Sequence, residues 1–252
     1  MDADPLLAQL FTGRDRELMP HLSVDCTIFG FHEGQLKLLL LRWKHLSAWS
    51  LPGGFVRRDE PLDSAAARVL RERTGLDHVF LRQFHAFGGV DRGEAALIPA
   101  FEAMGVEPPK DHWIVSRIVS VAYLALVDVA KVELSPDAWS DECRWWDLND
   151  RPTLLFDHDA ITALALETLR AQLDYLPLAA NLLPQKFTMP ELQRLYETVL
   201  GTSLDRRNFQ KRMLDQGFIA RLEERKTGGA HRSPYLYRFT RSRGRSAPIR
   251  RN

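Results

Sequence analysis

The hydrophobic period of this chain changes at Asp157, and the change decides what each side of that point can build. Before it, two strand-like runs, Ser23 to Phe31 and Leu36 to Trp43, flank His32-Glu33-Gly34-Gln35, whose glycine suits a tight hairpin turn. A third run, Ile118 to Val127, is rich in β-branched residues and bounded by charge, which predicts a central strand. Between them, Ala66 and Leu70 stand at helical spacing within Leu62 to Thr74, with Asp63 near the start and Gly75 as a stop. Strands alternating with a helix indicate a mixed α/β layer. After Asp157 the period is helical. Ile161, Leu164, Ala165, Thr168, Leu169 and Leu173 mark one helix, read over Asp159 to Asp174, and Leu192, Leu195, Tyr196 and Val199 mark a second, with no strand-like run between. A third helix follows Gly201-Thr202-Ser203, with Ser203 as the expected N-cap and Gly217 as the stop. Phe218 to Leu222 and Pro234 to Phe239 then read as a hairpin around a glycine-rich turn. Three helices and a hairpin make a winged helix-turn-helix. No internal repeat is present.

Charge divides along the same line. The 252 residues carry 34 Lys and Arg against 33 Asp and Glu, yet residues 181 to 252 hold 16 basic and 6 acidic side chains, a net of +10, which leaves 18 against 27, a net of −9, in the first 180. One part of the chain is suited to a polyanion and the other is not, since each phosphate neutralised by a cation releases condensed counterions. The opening Met1-Asp2-Ala3-Asp4-Pro5 lacks the basic and apolar pattern of a signal peptide, and Leu36 to Leu41 is too short to span a bilayer. Cys26 and Cys143 have neither a CxxC partner nor a histidine at ligand spacing, so both are read as buried, reduced thiols. A cytoplasmic, nucleoid-associated protein without a membrane anchor, metal or cofactor is expected. The divisions are 1–20 as an N-terminal extension, 21–155 as the α/β domain, 156–240 as the winged helix and 241–252 as a basic, disordered tail.

The stretch from Gly54 to Leu76 resembles the Nudix box, which in words is Gly, five residues, Glu, seven residues, then Arg-Glu-aliphatic-any-Glu-Glu-any-Gly-aliphatic. Gly54, Glu60, Arg68, Leu70, Glu72, Gly75 and Leu76 match at the right spacing, and Leu51-Pro52-Gly53 precede them. The resemblance implies an α/β Nudix-like sandwich, a mixed sheet with helices, over roughly residues 20 to 150. In that family the helix carboxylates hold the divalent cations that bridge a diphosphate. Here Val69 and Arg73 stand at two of those positions and only Glu72 remains. Replacing one carboxylate by an alkyl group and another by a cation is severe for a hard, oxygen-preferring ion. No catalytic residue is therefore assigned: Glu60, Arg68 and Glu72 belong to a degenerate box, with Arg68 and Glu72 paired at i and i+4. Ligands recruited from elsewhere would be Asp59, Asp63 or Glu94. A pocket can outlast the chemistry, with Gly54 allowing close backbone approach, Arg57, Arg58 and Arg73 meeting phosphate, and Trp49 or Phe55 stacking on a ring. The long segment His85 to Arg117, with a helix expected over Glu94 to Met104, adds Arg92 and Arg117, then Asp91 and Trp113, as lid or partner-facing candidates.

In the basic half, Phe209 and Met213 lie one turn apart and should face a core. Arg206, Arg207, Asn208, Gln210 and Lys211 then fall on the other side, where an amide can read adenine, a guanidinium guanine, and the remaining cations phosphate. Lys226, His231 and Arg232 flank the turn of the hairpin and supply a second contact surface. A degenerate Nudix-like domain followed by Asp205-Arg206-Arg207-Asn208-Phe209 and by Gly228-Gly229-Ala230-His231-Arg232 resembles the Nudix-related transcriptional regulators. That resemblance implies a homodimer on palindromic double-stranded operator DNA, a repressor or activator governed by a small-molecule effector. Members sense ADP-ribose and govern NAD metabolism, or respond to sugars such as arabinose or xylose. The arginines near the box favour a phosphorylated effector. The alternative is an active Nudix-type diphosphate hydrolase with an accessory nucleic-acid-binding domain.

Overall fold

The computed structural model describes residues 14–44, 46–77, 79–90, 92, 98, 101–102, 105, 112–137, 139–173, 178–226 and 233–240. Its spine is β1 (Leu18–His32), which is buried without a break from Val24 to Gly30. A strand covered on both faces needs no polar alternation, and this one pairs with three others. It runs antiparallel to β2 (Gln35–Trp43) and β4 (Gly53–Arg57), and parallel to β6 (Val119–Val127). The β1–β2 connection is the expected hairpin, with Glu33 and Gly34 both at positive φ (51° and 80°), the geometry that matches the twist of the two strands. The seven-stranded sheet has the order β3-β2-β1-β6-β5, with β4 on β1 and β7 on β2, where β3 is Trp49–Ser50, β5 Phe80–Phe87 and β7 Ser140–Asp147.

Helix α1 (Leu62–Thr74) covers one face and ends where expected, with Gly75 left-handed and its N–H on the Arg71 carbonyl at 2.8 Å. Ala65, Ala66, Val69 and Leu70 pack there on Val24, Cys26 and Ile28. The other face, carrying Phe29, Leu38, Leu40 and Leu124, meets α2 (His158–Gln172) through Ile161, Ala165 and Leu169. The α/β sandwich followed by a winged helix is thus the architecture observed. Two strands escape the apolar pattern. β5 and β7 are half-exposed, and Arg82, Gln83, Asp141, Glu142 and Arg144 within them mask any alternation.

The winged helix is formed by α3 (Met189–Leu200), α4 (Arg206–Asp215), β9 (Ile219–Arg225) and β10 (Tyr235–Phe239). A two-residue strand, β8 (Phe187–Thr188), completes its sheet in the order β8-β10-β9, so a strand does intervene between α2 and α3. Thr188 and Glu191 form a reciprocal capping box at α3. The expected cap at Ser203 is corrected to Asp205, whose carboxylate accepts from the Asn208 N–H at 2.9 Å. Helix α2 begins and ends one or two residues earlier than the sequence suggested, and it serves both halves. The apolar cluster beneath it continues through Leu192, Leu195 and Val199 to Phe209 and Met213. Arg170 Nε donates to the Val199 carbonyl at 2.7 Å, Tyr196 donates to the Leu173 carbonyl at 3.1 Å, and Thr198 donates to the Gly34 carbonyl at 2.9 Å. Nearly all of the expected helix from Glu94 to Met104, the wing turn 227–232 with His231 and Arg232, residues 1–13 and the tail 241–252 lie outside the described residues.

Candidate ligand cavity and nucleic-acid interface

A cavity of about 410 Å³ opens between β1, β4, the end of α1 and the first turn of α2. Its floor is Asp25 on β1, whose side chain is 8% exposed. Gly53 opposite has no room for a side chain, since a Cβ there would crowd Asp25 and stand 3.0 Å from the Val24 carbonyl. Asp25 Oδ2 accepts from Arg92 Nη2 at 2.7 Å and from the Ser120 hydroxyl at 2.5 Å, with His158 Nε2 at 3.5 Å. His158 Nδ1 accepts from the Leu51 N–H at 2.9 Å, leaving its other ring nitrogen directed at the carboxylate. Burial pushes the Asp25 carboxyl upward, but His158, Arg92 and Ser120 together outweigh it and hold it well below the usual carboxylate range. Arg92 Nε also contacts both carboxylate oxygens of Asp157 at 2.9 and 3.0 Å. Asp157 precedes α2 and gives its side chain to Arg92 rather than to the helix N-terminus.

Of the residues expected to hold a ligand, Gly54, Phe55, Arg57, Arg73 and Arg92 line this cavity. Phe55 stands edge-on to Trp113, ring centroids 4.8 Å apart. Three others do not line it. Trp49 is turned into the core, edge-on to Trp146 at 5.1 Å, because β3 directs it to the α2 face. Arg58 is exposed, fixed by its backbone N–H on the Glu17 carbonyl at 2.8 Å, and Arg117 points away with Nη2 on the Gly88 carbonyl at 2.5 Å. Asp25, Ser120, Asp157 and His158 were not singled out from the sequence, and no local signal marks them; Asp25 lies 95 residues before Ser120 and Ser120 lies 37 before the adjacent Asp157 and His158, and they meet only because β1 and β6 pair in parallel and α2 folds back across them. The arginines of the wall are also less available than their number suggests. Glu17, Asp25, Glu72 and Asp137 line the same cavity as Arg57, Arg68, Arg73 and Arg92. An excess of positive charge is therefore not what selects the ligand.

On the other half, Phe209 and Met213 are buried, each 3% exposed, so α4 must turn Arg206, Arg207, Asn208 and Lys211 to the outside, where all four are exposed; Gln210 is half-buried. Asp205 caps the helix, and the first turn that follows carries no acidic side chain. Arg212 lies back over Tyr196 and Phe209, at 6.0 and 5.7 Å, and belongs to the packing. Lys226, at the end of β9, meets Glu191 at 2.6 Å and is already paired.

A family model described as "NUDIX domain" matches residues 19–166, and one described as "NrtR DNA-binding winged helix domain" matches residues 179–239. The chain is 32% identical over 227 residues, 87% of this chain and 82% of the relative, to the "ADPR responsive transcriptional repressor NtrR" of Acinetobacter baylyi. The chain belongs to the Nudix-related transcriptional regulators. The crystal structure of Shewanella oneidensis NrtR is similar with a TM-score of 0.69 at 28% identity, covering 87% of this chain and 94% of that one. The same protein in complex with a 27mer DNA gives 0.67 at 27% identity, covering 86% and 93%. An ADP-ribose pyrophosphatase of Methanocaldococcus jannaschii is 29% identical over 147 residues, 57% of this chain and 72% of that relative. Like its family, this chain is a DNA-binding regulator with a Nudix-type sensing domain.

In this regulator the Nudix helix does not offer a divalent cation the ligands it needs. Val69 is 1% exposed and packs beneath Gly54, its Cγ2 3.3 Å from where a Cβ would lie. The expected i, i+4 pair of Arg68 with Glu72 is present at 3.7 Å, but Arg68 turns chiefly to Glu60, with Nε at 3.0 Å and Nη2 at 2.6 Å. The Glu60 carboxyl is lowered by that bond. Glu72 has Arg73 on its other side at 3.4 Å. Asp63 accepts from the Tyr123 hydroxyl at 2.6 Å. Among the described residues no three of His, Cys, Asp or Glu converge. A lone carboxylate flanked by two guanidinium groups does not fit a hard cation.

Proposed function

We propose that this regulator is a homodimeric repressor whose hold on operator DNA is released when ADP-ribose, or a related NAD-derived metabolite, fills the cavity under Gly54. The observation that carries the reading is the position of α2. Its first residue, His158, lies against Asp25 on the cavity floor, and its last turn bonds to α3 of the winged helix. A ligand that alters the floor therefore acts on an element shared with the DNA-binding half. ADP-ribose is preferred over a sugar because the Acinetobacter relative is described as responsive to it, and because the cavity offers aromatic walls at Trp43, Phe55 and Phe156 for a base. The protein works on DNA in the cytoplasm, at the nucleoid; among the described residues no helix is long and apolar enough to cross a membrane. Fluorescence anisotropy on operator DNA, titrated with ADP-ribose and then with arabinose or xylose, tests the assignment. Release by a sugar alone would transfer the site to the other class of effector.

The Nudix-like half is proposed to sense without hydrolysing, on the strength of Val69 and Arg73 in the box. Incubation with ADP-ribose and magnesium or manganese is expected to yield no AMP. Turnover that Glu72→Gln abolishes would instead establish an active diphosphate hydrolase.

Arg207 and Lys211 are proposed to meet DNA, with Arg206, Asn208 and Gln210 beside them and Lys226, His231 and Arg232 on the wing. Arg207→Ala is expected to cost about 1 to 3 kcal/mol of operator affinity and relax preference at one base pair if it reads a base, whereas Lys211→Ala lowers the salt slope by about one. Both variants should unfold like the parent, since neither side chain is in the core. Wild-type footprints from both would refute the assignment. A single winged helix reads few base pairs, whereas a two-fold pair reads two half-sites. Light scattering is therefore expected to give a dimer without DNA, and a monomer at micromolar concentration that still binds one operator tightly would contradict it.

A further inference from the structure

Three arginines of the cavity wall are mostly buried, and two of them are fully committed. Arg68 gives Nε and Nη2 to Glu60, and Nη2 also to the Phe55 carbonyl at 3.1 Å. Arg92 clamps Asp25 and Asp157. Arg73, on the last turn of α1, is different. It is 9% exposed, and its Nη2 stands 3.4 Å from Glu72 and 3.7 Å from Asp137, both long for a charge-assisted bond. Its Nε is buried with no acceptor among the described residues. A donor withdrawn from water without a partner bears its full desolvation cost, so this guanidinium in the cavity wall is only partly satisfied by the protein. The position matters as much as the vacancy. Arg73 stands where the Nudix box has a carboxylate for the metal, one helical turn beyond Val69, where it has another.

We infer that Arg73 takes over the metal's work: its guanidinium, fixed in the wall, receives the phosphoryl oxygens of a diphosphate and neutralises their charge without a divalent cation. This rests on the diphosphate ligand proposed above. The planar fork of a guanidinium matches two oxygens at once, as a point charge does not. Arg57, exposed at the rim and without an ion pair among the described residues, adds a second cation on the same side. Glu72 stays on Arg68 and Arg73, where it keeps the guanidinium groups in place. The substitution accounts for both departures of the box together, since a cation at 73 removes the need for the carboxylate lost at 69.

Calorimetric titration of the full chain with ADP-ribose, once in EDTA and once in magnesium, decides this. Wild-type affinity is expected to be the same in both. Arg73→Met is expected to bind ADP-ribose about 10- to 100-fold more weakly, the loss of a charge-assisted pair, while its affinity for adenosine is unchanged. Arg73→Lys should fall between. Arg73→Glu, which restores a carboxylate beside Glu72, should bind ADP-ribose better with magnesium than without. Wild-type binding that requires magnesium would overturn the inference, whatever the variants do. Equal losses of ADP-ribose and adenosine in Arg73→Met would also overturn it, by making Arg73 a structural support. A wild-type chain that binds ADP-ribose in neither buffer would remove the ligand assignment itself, and this inference with it.

Discussion

Asp25→Ala is expected to destabilise the protein by about 3 to 5 kcal/mol, the usual consequence of removing one partner from a buried ion pair and leaving the other charge without it. Arg92 would keep Asp157, but its Nη2 would lose its acceptor on a side chain only 10% exposed, and Ser120 and His158 would lose theirs with it. Denaturant unfolding, with the midpoint lowered and the slope preserved, measures the effect. A change within about 0.5 kcal/mol, as for an ordinary surface substitution, would show that the cluster does not hold the sandwich together. Asp25→Asn keeps the shape and removes the charge, so it isolates the electrostatic part. Its pH dependence follows from the direction of the shift. The folded carboxyl lies below its unfolded value of about 3.9, so the stability it contributes is fully present above that value and is lost as the pH falls through the depressed folded one. The wild type should accordingly lose more stability than Asp25→Asn on acidification.

Saturating ADP-ribose is expected to weaken operator binding by about 5- to 150-fold, and operator to weaken ADP-ribose binding by the same factor, because a coupling free energy is shared by both sites. The effect requires two arrangements of the winged helices with different ligand affinities. Helix α2 connects them to the cavity, with His158 at one end and the Arg170 bond to the Val199 carbonyl at the other. Arg170→Ala, exchanging that 2.7 Å bond for solvent, should reduce the coupling while leaving the affinity for ligand alone and for DNA alone nearly unchanged. Ligand titrations with and without operator give the factor directly. Equal ligand affinity in both would mean that the Nudix-like half does not govern DNA binding, and full coupling in Arg170→Ala would move the path to another contact, such as Thr198 on the Gly34 carbonyl.

Some of this was present in the linear chain. A fixed spacing of Gly54, Glu60, Arg68, Glu72 and Gly75 is a local property of one strand, one turn and one helix, so α1 was read to the residue and so were the departures at Val69 and Arg73. The outward face of α4 is equally local, since Phe209 and Met213 one turn apart leave only one side for Arg206, Arg207 and Lys211. β5 and β7 were not legible because a half-exposed strand is held by neighbours rather than by its own alternation. The sequence places the cap at Ser203 and the fold places it at Asp205, since either side chain can accept a helix N–H and only the turn geometry chooses between them. The removal of Trp49 from the cavity, the clamping of Arg92, the open donor of Arg73 and the gathering of Asp25, Ser120, Asp157 and His158 depend on contacts across the sheet. The sequence by itself determined the two domains, their charges and the loss of the metal carboxylates, since composition and short-range spacing carry those. Only the tertiary structure decided which of the arginines are free to meet a ligand, because a guanidinium's availability is set by the carboxylates that folding brings beside it.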